Sequence, residues 1–150
     1  MQTLHHIVIV GGGAGGLELV TKLGKTLGKK NKARITLVDA VQTHVWKPLL
    51  HEVAAGSLNS DASQVDFRAH AQLHHFEFQL GRLNGLDRAN KTIQLAPIVN
   101  HEGDEVVAER SISYDTLVIA VGSTANDFGT EGAAEHCLLL DSLKQARNFH

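Results

Sequence analysis

The sequence predicts an α/β fold, a parallel sheet carrying helices with an antiparallel β-meander inserted. Three observations lead there. Residues 5–10 (HHIVIV) are a short β-branched run. A glycine cluster and a stretch of helical spacing follow it directly. A second β-branched run, 34–39 (RITLVD), comes next. Strand, helix and strand in that order make a β-α-β unit, whose strands lie parallel in one sheet.

Each element follows from its residues. Leu17, Val20, Leu23 and Leu27 recur at helical spacing after the glycines. Gly28 and the lysines around it close that helix, where cations suit the negative end of the dipole. Residues 40–47 read as a loop. Pro48 suits the first turn of a short helix over 48–55, and Gly56 ends it. Asp61 or Ser63 is positioned to cap another helix running to about residue 75. Residues 76–83 (FEFQLGRL), 91–98 and 105–113 read as three strands of an antiparallel meander, joined by turns at 88–90 and 100–104. Residues 115–121 (DTLVIAV) form a continuous apolar run, the pattern of a central parallel strand, and Gly122 ends it. Residues 142–150 begin a helix.

Composition narrows the class. With 43% hydrophobic and 20% charged residues, the chain has the profile of one soluble globular domain. A net charge of −2 excludes a broad basic face, so nucleic acid is not an expected partner. The local basic cluster Lys25, Lys29, Lys30, Lys32 and Arg34 reads as a solvated helix end. The lone Cys137 cannot form an intrachain disulfide, and is expected to be buried or inert. No apolar run approaches about 18 residues, so no span is expected within this chain.

The chemistry concentrates in the glycine cluster. Gly11, Gly13 and Gly16 form G-x-G-x-x-G between a strand and a helix. The first glycine permits the tight turn, the second lets backbone approach a pyrophosphate, and the third lets helix and strand pack closely. Asp39 ends the next strand, roughly 20 residues further on, where a carboxylate accepts hydrogen bonds from ribose hydroxyls. The expected fold is therefore Rossmann-like, and the ligand a dinucleotide. The motif alone does not separate NAD from FAD.

The meander, followed by a strand ending Ala120-Val121-Gly122, has the layout of flavoproteins similar to glutathione reductase. Five stretches carry a closer resemblance: 7–19 (IVIVGGGAGGLEL), 35–58 (ITLVDAVQTHVWKPLLHEVAAGSL), 76–81 (FEFQLG), 114–130 (YDTLVIAVGSTANDFGT) and 135–141 (EHCLLLD). In these the chain resembles the amino-terminal, FAD-binding part of the bacterial type II NADH dehydrogenases, within the pyridine nucleotide-disulfide oxidoreductase-like flavoproteins. One departure is Glu131, where relatives commonly carry proline before the glycine at 132.

The resemblance implies an FAD-dependent enzyme that passes electrons from NADH to a membrane quinone. It implies a flavin domain over residues 1–150, with NADH-binding and carboxy-terminal membrane regions outside this chain. The parent would lie peripherally on the cytoplasmic face of the inner membrane, and this chain itself would be soluble. By motif match, Gly11, Gly13, Ala14, Gly15 and Gly16 meet the pyrophosphate and Asp39 the ribose. Lys47, Pro48 and Leu49 fall in the segment passing near the flavin ring. Arg82 and Leu83 fall where backbone meets the adenine. Ala120, Val121 and Gly122 match the second flavin fingerprint. No catalytic acid/base residue is expected, because the chemistry belongs to the cofactor.

Other residues admit plainer readings. Lys47 is either a group that stabilises negative charge on reduced flavin or a surface lysine. Glu52 reads as structural. His70 and His74, at i and i+4 among ten histidines, have a chelating spacing but no obvious third ligand, so they read as surface histidines and no metal is expected. Alternative functions are another quinone-linked flavoprotein, such as a sulfide:quinone oxidoreductase, or a non-catalytic nucleotide-binding module. The isolated chain is expected to self-associate and to be inactive alone.

Overall fold

The run His5–Val10 is a strand, β1, and the glycines after it lead into helix α1 (Ala14–Leu23). In this computed structural model, which describes residues 3–149, α1 continues into one wide π turn (Gly24–Gly28) before β2 (Ala33–Asp39). Threonines explain the change of pitch. The Thr21 and Thr26 hydroxyls donate to the Leu17 and Lys22 carbonyls at 2.7 Å, back-bonding that bends helices. Next come β3 (Thr43–His44), a 3-10 turn (Lys47–Leu49) with proline in its first turn, and α2 (Leu50–Ala54). Gly56, with φ +72°, follows that helix. Then come β4 (Val65–Asp66), α3 (Phe67–His74), β5 (Glu77–Leu80), β6 (Leu83–Asp87), β7 (Thr92–Leu95) and β8 (Ile98–Val99). The chain goes on through β9 (Glu105–Val107), β10 (Arg110–Ser113), β11 (Thr116–Ile119), α4 (Ala133–His136) and α5 (Leu143–Phe149).

Two units divide these elements. The first comprises residues 3–42 and Asp66–Val121. Its sheet is parallel throughout, in the order β11-β1-β2-β5. Alternation along β1 sends its side chains to two cores. Ile9 packs with Val20, Ile35, Leu37, Phe67 and Ala71 on the helix side. Val8 and Val10 pack with Val38, Ile93 and Leu95 on the side of the meander β6-β7-β10. The parallel sheet is thus covered on both faces, as such sheets require.

The second unit comprises Thr43–Val65 and residues 122–149. Val45, Leu50, Val53 and Ala146 form its core, so α2 and α5 pack on each other. Arg147 on α5 also donates to the Ser60 hydroxyl at 2.9 Å and pairs with Asp61.

Five expectations are corrected. Residues 77–80 do not belong to the meander: β5 pairs in parallel with β2, Leu37 opposite Phe78. The run 105–113 is two strands; β9 forms a hairpin with β8, and only β10 joins the meander. The 115–121 strand is not central among the described strands, because β11 pairs on one side only, with β1, and Ile119 is 52% exposed. The cap of α3 is neither Asp61 nor Ser63 but Asp66, whose carboxylate accepts from the Ala69 N–H at 2.8 Å. Asp61 instead pairs with Arg147. Cys137 is exposed rather than buried.

Helix α3 lies against α1 and the π turn. His70 Nε2 meets the Thr21 hydroxyl at 2.8 Å, and the His70 and His74 rings lie 4.1 Å apart, edge to face. Burial holds the His70 imidazole below its ordinary value of 6.5, helped by His74 and Lys25. Burial likewise depresses His74, with Lys25 and His75 adding to it. Both rings therefore stay neutral in the folded chain at pH values where the unfolded chain already takes up protons. Stability is then full above the unfolded value and falls as pH drops through it. The urea midpoint is expected to be lower at pH 5.5 than at pH 7.5, and a His70→Gln, His74→Gln double variant should flatten that slope. A midpoint that does not fall on acidification would contradict this account.

Candidate functional site

The glycine loop joins β1 to α1, and the structure assigns its glycines different tasks. Gly11 has φ +103°, a left-handed conformation that favours glycine. A Cβ there would also lie 2.4 Å from the Ala120 carbonyl oxygen. A Cβ on Gly16 would lie 1.8 Å from the Gly11 carbonyl oxygen, so helix and turn are in direct backbone contact. The Phe67 ring, fully buried, fills the space a Gly12 side chain would need. Gly13 and Gly15 differ: no protein atom lies within 4 Å of a Cβ built on either. Gly13 has φ −66° and ψ −173°, extended backbone that demands no glycine.

That open space faces the start of α1. Among the described residues, no side chain caps this helix, and its first turn carries no acidic residue. Its free N–H groups and positive dipole are thus left for an outside acceptor. The room that Gly13 and Gly15 leave and these free donors are what an anionic group at a helix start requires.

Asp39, at the end of β2, sits beside this loop. One carboxylate oxygen accepts from the Gly12 N–H at 2.6 Å and the other from the Val41 N–H at 3.0 Å. Each oxygen has further lone pairs, so the carboxylate can still accept from hydroxyls. The Asp39 carbonyl accepts from the Gly81 N–H at 2.8 Å, which brings the end of β5 alongside. Arg82 follows there, exposed, its carbonyl taken by the Ala96 N–H at 2.9 Å. Leu83 is half-buried at the start of β6 and packs on the meander core. Ala120 donates its N–H to the Val10 carbonyl at 2.7 Å, so Ala120 and Val121 pass directly by Gly11. Gly122 follows with φ +75°.

The second unit holds Lys47, Pro48 and Leu49 together on the 3-10 turn. Lys47 Nζ donates to the Ser123 carbonyl at 2.7 Å and to Asp141 at 3.3 Å. Glu52 lies 3.9 Å from His51 and is part exposed. Two residues escaped the sequence reading. Arg110 reaches from β10 to the Leu80 carbonyl, through space that Gly81 leaves by having no side chain. Asp141 holds Lys47. Both contacts join residues far apart in the chain, and only the glycine at 81 hinted at either.

A cleft of about 740 Å³ opens elsewhere, among residues at the starts of β1, β2 and β5. Its charged groups satisfy one another: Arg34 with Glu77 at 2.6 Å, and Asp115 with the His6 N–H at 2.7 Å. Burial and the nearby Arg34 push His6 below its ordinary value, and its Nε2 lies on the Thr36 hydroxyl at 2.8 Å. The dinucleotide features all lie at the opposite ends of these strands. Among the described residues there is no group of three or more His, Cys, Asp or Glu that could hold a metal, and no helix long and apolar enough to cross a membrane.

Known proteins resemble the chain along almost its whole length. It is 49% identical over 146 residues to a type II NADH:quinone oxidoreductase of Haemophilus influenzae, covering 97% of this chain and 33% of that protein. A type II NADH:quinone oxidoreductase of Staphylococcus aureus is 28% identical over 148 residues, 99% of this chain and 34% of that one. The chain therefore spans about a third of the length of these relatives. Among solved structures, NDH2 from Plasmodium falciparum in complex with NADH superposes with a TM-score of 0.78 at 20% identity, over 97% of this chain and 28% of that one. The sulfide:quinone oxidoreductase of Aquifex aeolicus superposes at 0.73 with 23% identity, over 97% and 30%. At such identities the two structures speak for the fold. The family model for pyridine nucleotide-disulphide oxidoreductases matches residues 5–150, and the chain belongs to that family.

Proposed function

We propose that this chain is the FAD-binding, amino-terminal part of a type II NADH:quinone oxidoreductase. The observation that carries the reading is the space before Gly13 and Gly15, at an uncapped helix start with Asp39 beside it. The 49% identity to the Haemophilus influenzae enzyme supports the choice of activity.

In this reading the backbone N–H groups of Gly13, Ala14 and Gly15 hold the pyrophosphate, and Gly11 and Gly16 shape the turn. Asp39 takes the ribose hydroxyls with its remaining lone pairs, while Gly12 and Val41 fix the carboxylate. Backbone at Arg82 and Leu83 meets the adenine. Ala120, Val121 and Gly122 offer backbone to the cofactor, and Lys47, Pro48 and Leu49 belong to the segment near its ring. When bound, FAD supplies the chemistry: it accepts a hydride from NADH and returns two electrons to a quinone. The chain's own residues bind and orient; none of them is assigned a proton transfer.

The NADH-binding and carboxy-terminal membrane regions of the parent lie outside residues 1–150. The parent is peripheral, on the cytoplasmic face of the inner membrane. Exposed apolar side chains on the isolated chain, Val106, Val121 and Phe128 among them, support self-association.

The test compares two purified proteins. The full-length parent is expected to carry one non-covalent FAD and to oxidise NADH with a soluble quinone. The 150-residue chain with added FAD is expected to do neither at a useful rate and to scatter light as more than a monomer. Hydride transfer needs two cofactors held in near contact, and this chain has one dinucleotide motif. A parent without flavin, or a 150-residue chain that turns over like the parent, would refute the reading.

A further inference from the structure

Arg110 stands where an apolar residue belongs. Along β10, Ser111 and Ser113 are exposed, while Arg110 and Ile112 alternate with them and are half-buried. Arg110 lies opposite Leu95, and Leu95 opposite Leu83, and both leucines pack in the core between the meander and the parallel sheet. The arginine therefore shares their inward face. A guanidinium turned inward has to find acceptors. Its Nη2 donates to the Leu80 carbonyl. Its Nη1 is buried and, among the described residues, has no partner. A buried donor left unpaired costs stability, so an apolar side chain would hold this row of the meander at less cost. What the arginine adds is a tie to one particular carbonyl.

That carbonyl belongs to the neighbour of Asp39. Leu80 is the last residue of β5 and pairs with Asp39, the last residue of β2. The next residue, Gly81, donates its N–H to the Asp39 carbonyl at 2.8 Å. The Asp39 carboxylate in turn accepts from the Gly12 N–H at 2.6 Å, inside the glycine loop. A continuous run of contacts thus leads from Arg110 through Leu80, Gly81 and Asp39 to Gly12, all of it within the first unit. Gly81 leaves the arginine its path. A Cβ there would lie 3.2 Å from Arg110 Nη2 and 2.8 Å from Leu95 Cδ1. Asp39 is the last rung of the β2-β5 ladder, and the last rung of a ladder frays most easily. Arg110 fastens that rung from a second sheet.

We infer that Arg110 is a positioning residue for ribose recognition: by tying the end of β5 to the meander it fixes the Asp39 backbone, and so aims the Asp39 carboxylate at the hydroxyls of a bound adenosine ribose. This rests on the proposed function and on its assignment of Asp39 to the ribose. Arg110 acts through Leu80 and Gly81, and its role requires no contact with the cofactor.

The test reads the ribose contact alone. The full-length parent is stripped of cofactor and titrated with FAD and with the FAD analogue that lacks the 2′-hydroxyl of the adenosine ribose. Wild type is expected to bind FAD roughly 10- to 100-fold tighter than the analogue, the scale of one hydrogen bond to a carboxylate. In Arg110→Met that ratio is expected to fall to about 3-fold or less, because the carboxylate is no longer held in register with the hydroxyl. Arg110→Lys keeps a donor for the Leu80 carbonyl and is expected to restore the ratio. A ratio unchanged in Arg110→Met overturns the inference. So does a loss of affinity for both ligands alike, since that is what a merely structural arginine would give. If Arg110→Met does not accumulate folded, Gly81→Ala replaces it, displacing the guanidinium while keeping its charge, and the same fall in ratio is expected. A parent without flavin refutes the function itself. A wild-type parent that binds FAD and the analogue equally refutes the assignment of Asp39, and this inference with it. A wild-type preference that ignores Arg110→Met refutes the inference alone.

Discussion

Gly16→Ala is expected to destabilise the chain by about 3 kcal/mol or more, at or beyond the upper end of ordinary overpacking. The added Cβ would lie 1.8 Å from the Gly11 carbonyl oxygen and 3.0 Å from its carbon. Neither atom can retreat cheaply. Gly11 is held at φ +103°, and its N–H is bonded to the Val38 carbonyl at 2.8 Å, where β1 and β2 end side by side. Relief requires α1 to move off β1, which opens the core at Ile9 and Val20. Gly15→Ala, one position earlier, is the control. No atom lies within 4 Å of its Cβ, and alanine in a helix is favoured over glycine by about 0.5–1 kcal/mol. Urea unfolding of the two variants should therefore move in opposite directions. A Gly16→Ala chain within about 0.5 kcal/mol of wild type, the scatter of neutral surface substitutions, would mean that helix and turn are not in the contact described.

How much of this was legible in the sequence depends on the range of the interaction. The β1-α1-β2 unit is local: a β-branched run, glycines, a helical period, and an aspartate where the second strand ends. Those signals suffice for the loop and for Asp39. Strand direction is not local. The alternation in FEFQLG suits an edge strand of either sense, and only the pairing of Thr36 with Glu77 makes β5 parallel. The sequence reading placed the cap of α3 at Asp61 or Ser63 and passed over Asp66. The burial of Phe67 against Gly12 decides it, because the helix must start where that ring is seated. The apolar run 115–121 reads as a central strand, yet its hydrophobicity does not tell how many neighbours it has. Asp141 and Arg110 were invisible for a related reason: each is an ordinary charged residue until the fold delivers its partner.

Gly13→Val separates fold from ligand at a single position. The backbone there is extended, a conformation valine adopts readily, and no protein atom lies within 4 Å of the new Cβ. The cost to folding should not exceed about 1 kcal/mol, the scale of replacing glycine at a helix cap with a β-branched residue. The isopropyl group would occupy the space in front of the Ala14 and Gly15 N–H groups, which is where the pyrophosphate is proposed to sit. Losing two hydrogen bonds to a charged group removes about 3–6 kcal/mol. That weakens retention by roughly 10²- to 10⁴-fold. The full-length parent carrying Gly13→Val is thus expected to purify folded and colourless. The Gly16→Ala change fails earlier, at folding. If the folded Gly13→Val protein keeps one FAD per chain, the space before Gly13 serves something other than the pyrophosphate, and the binding site belongs elsewhere in the molecule.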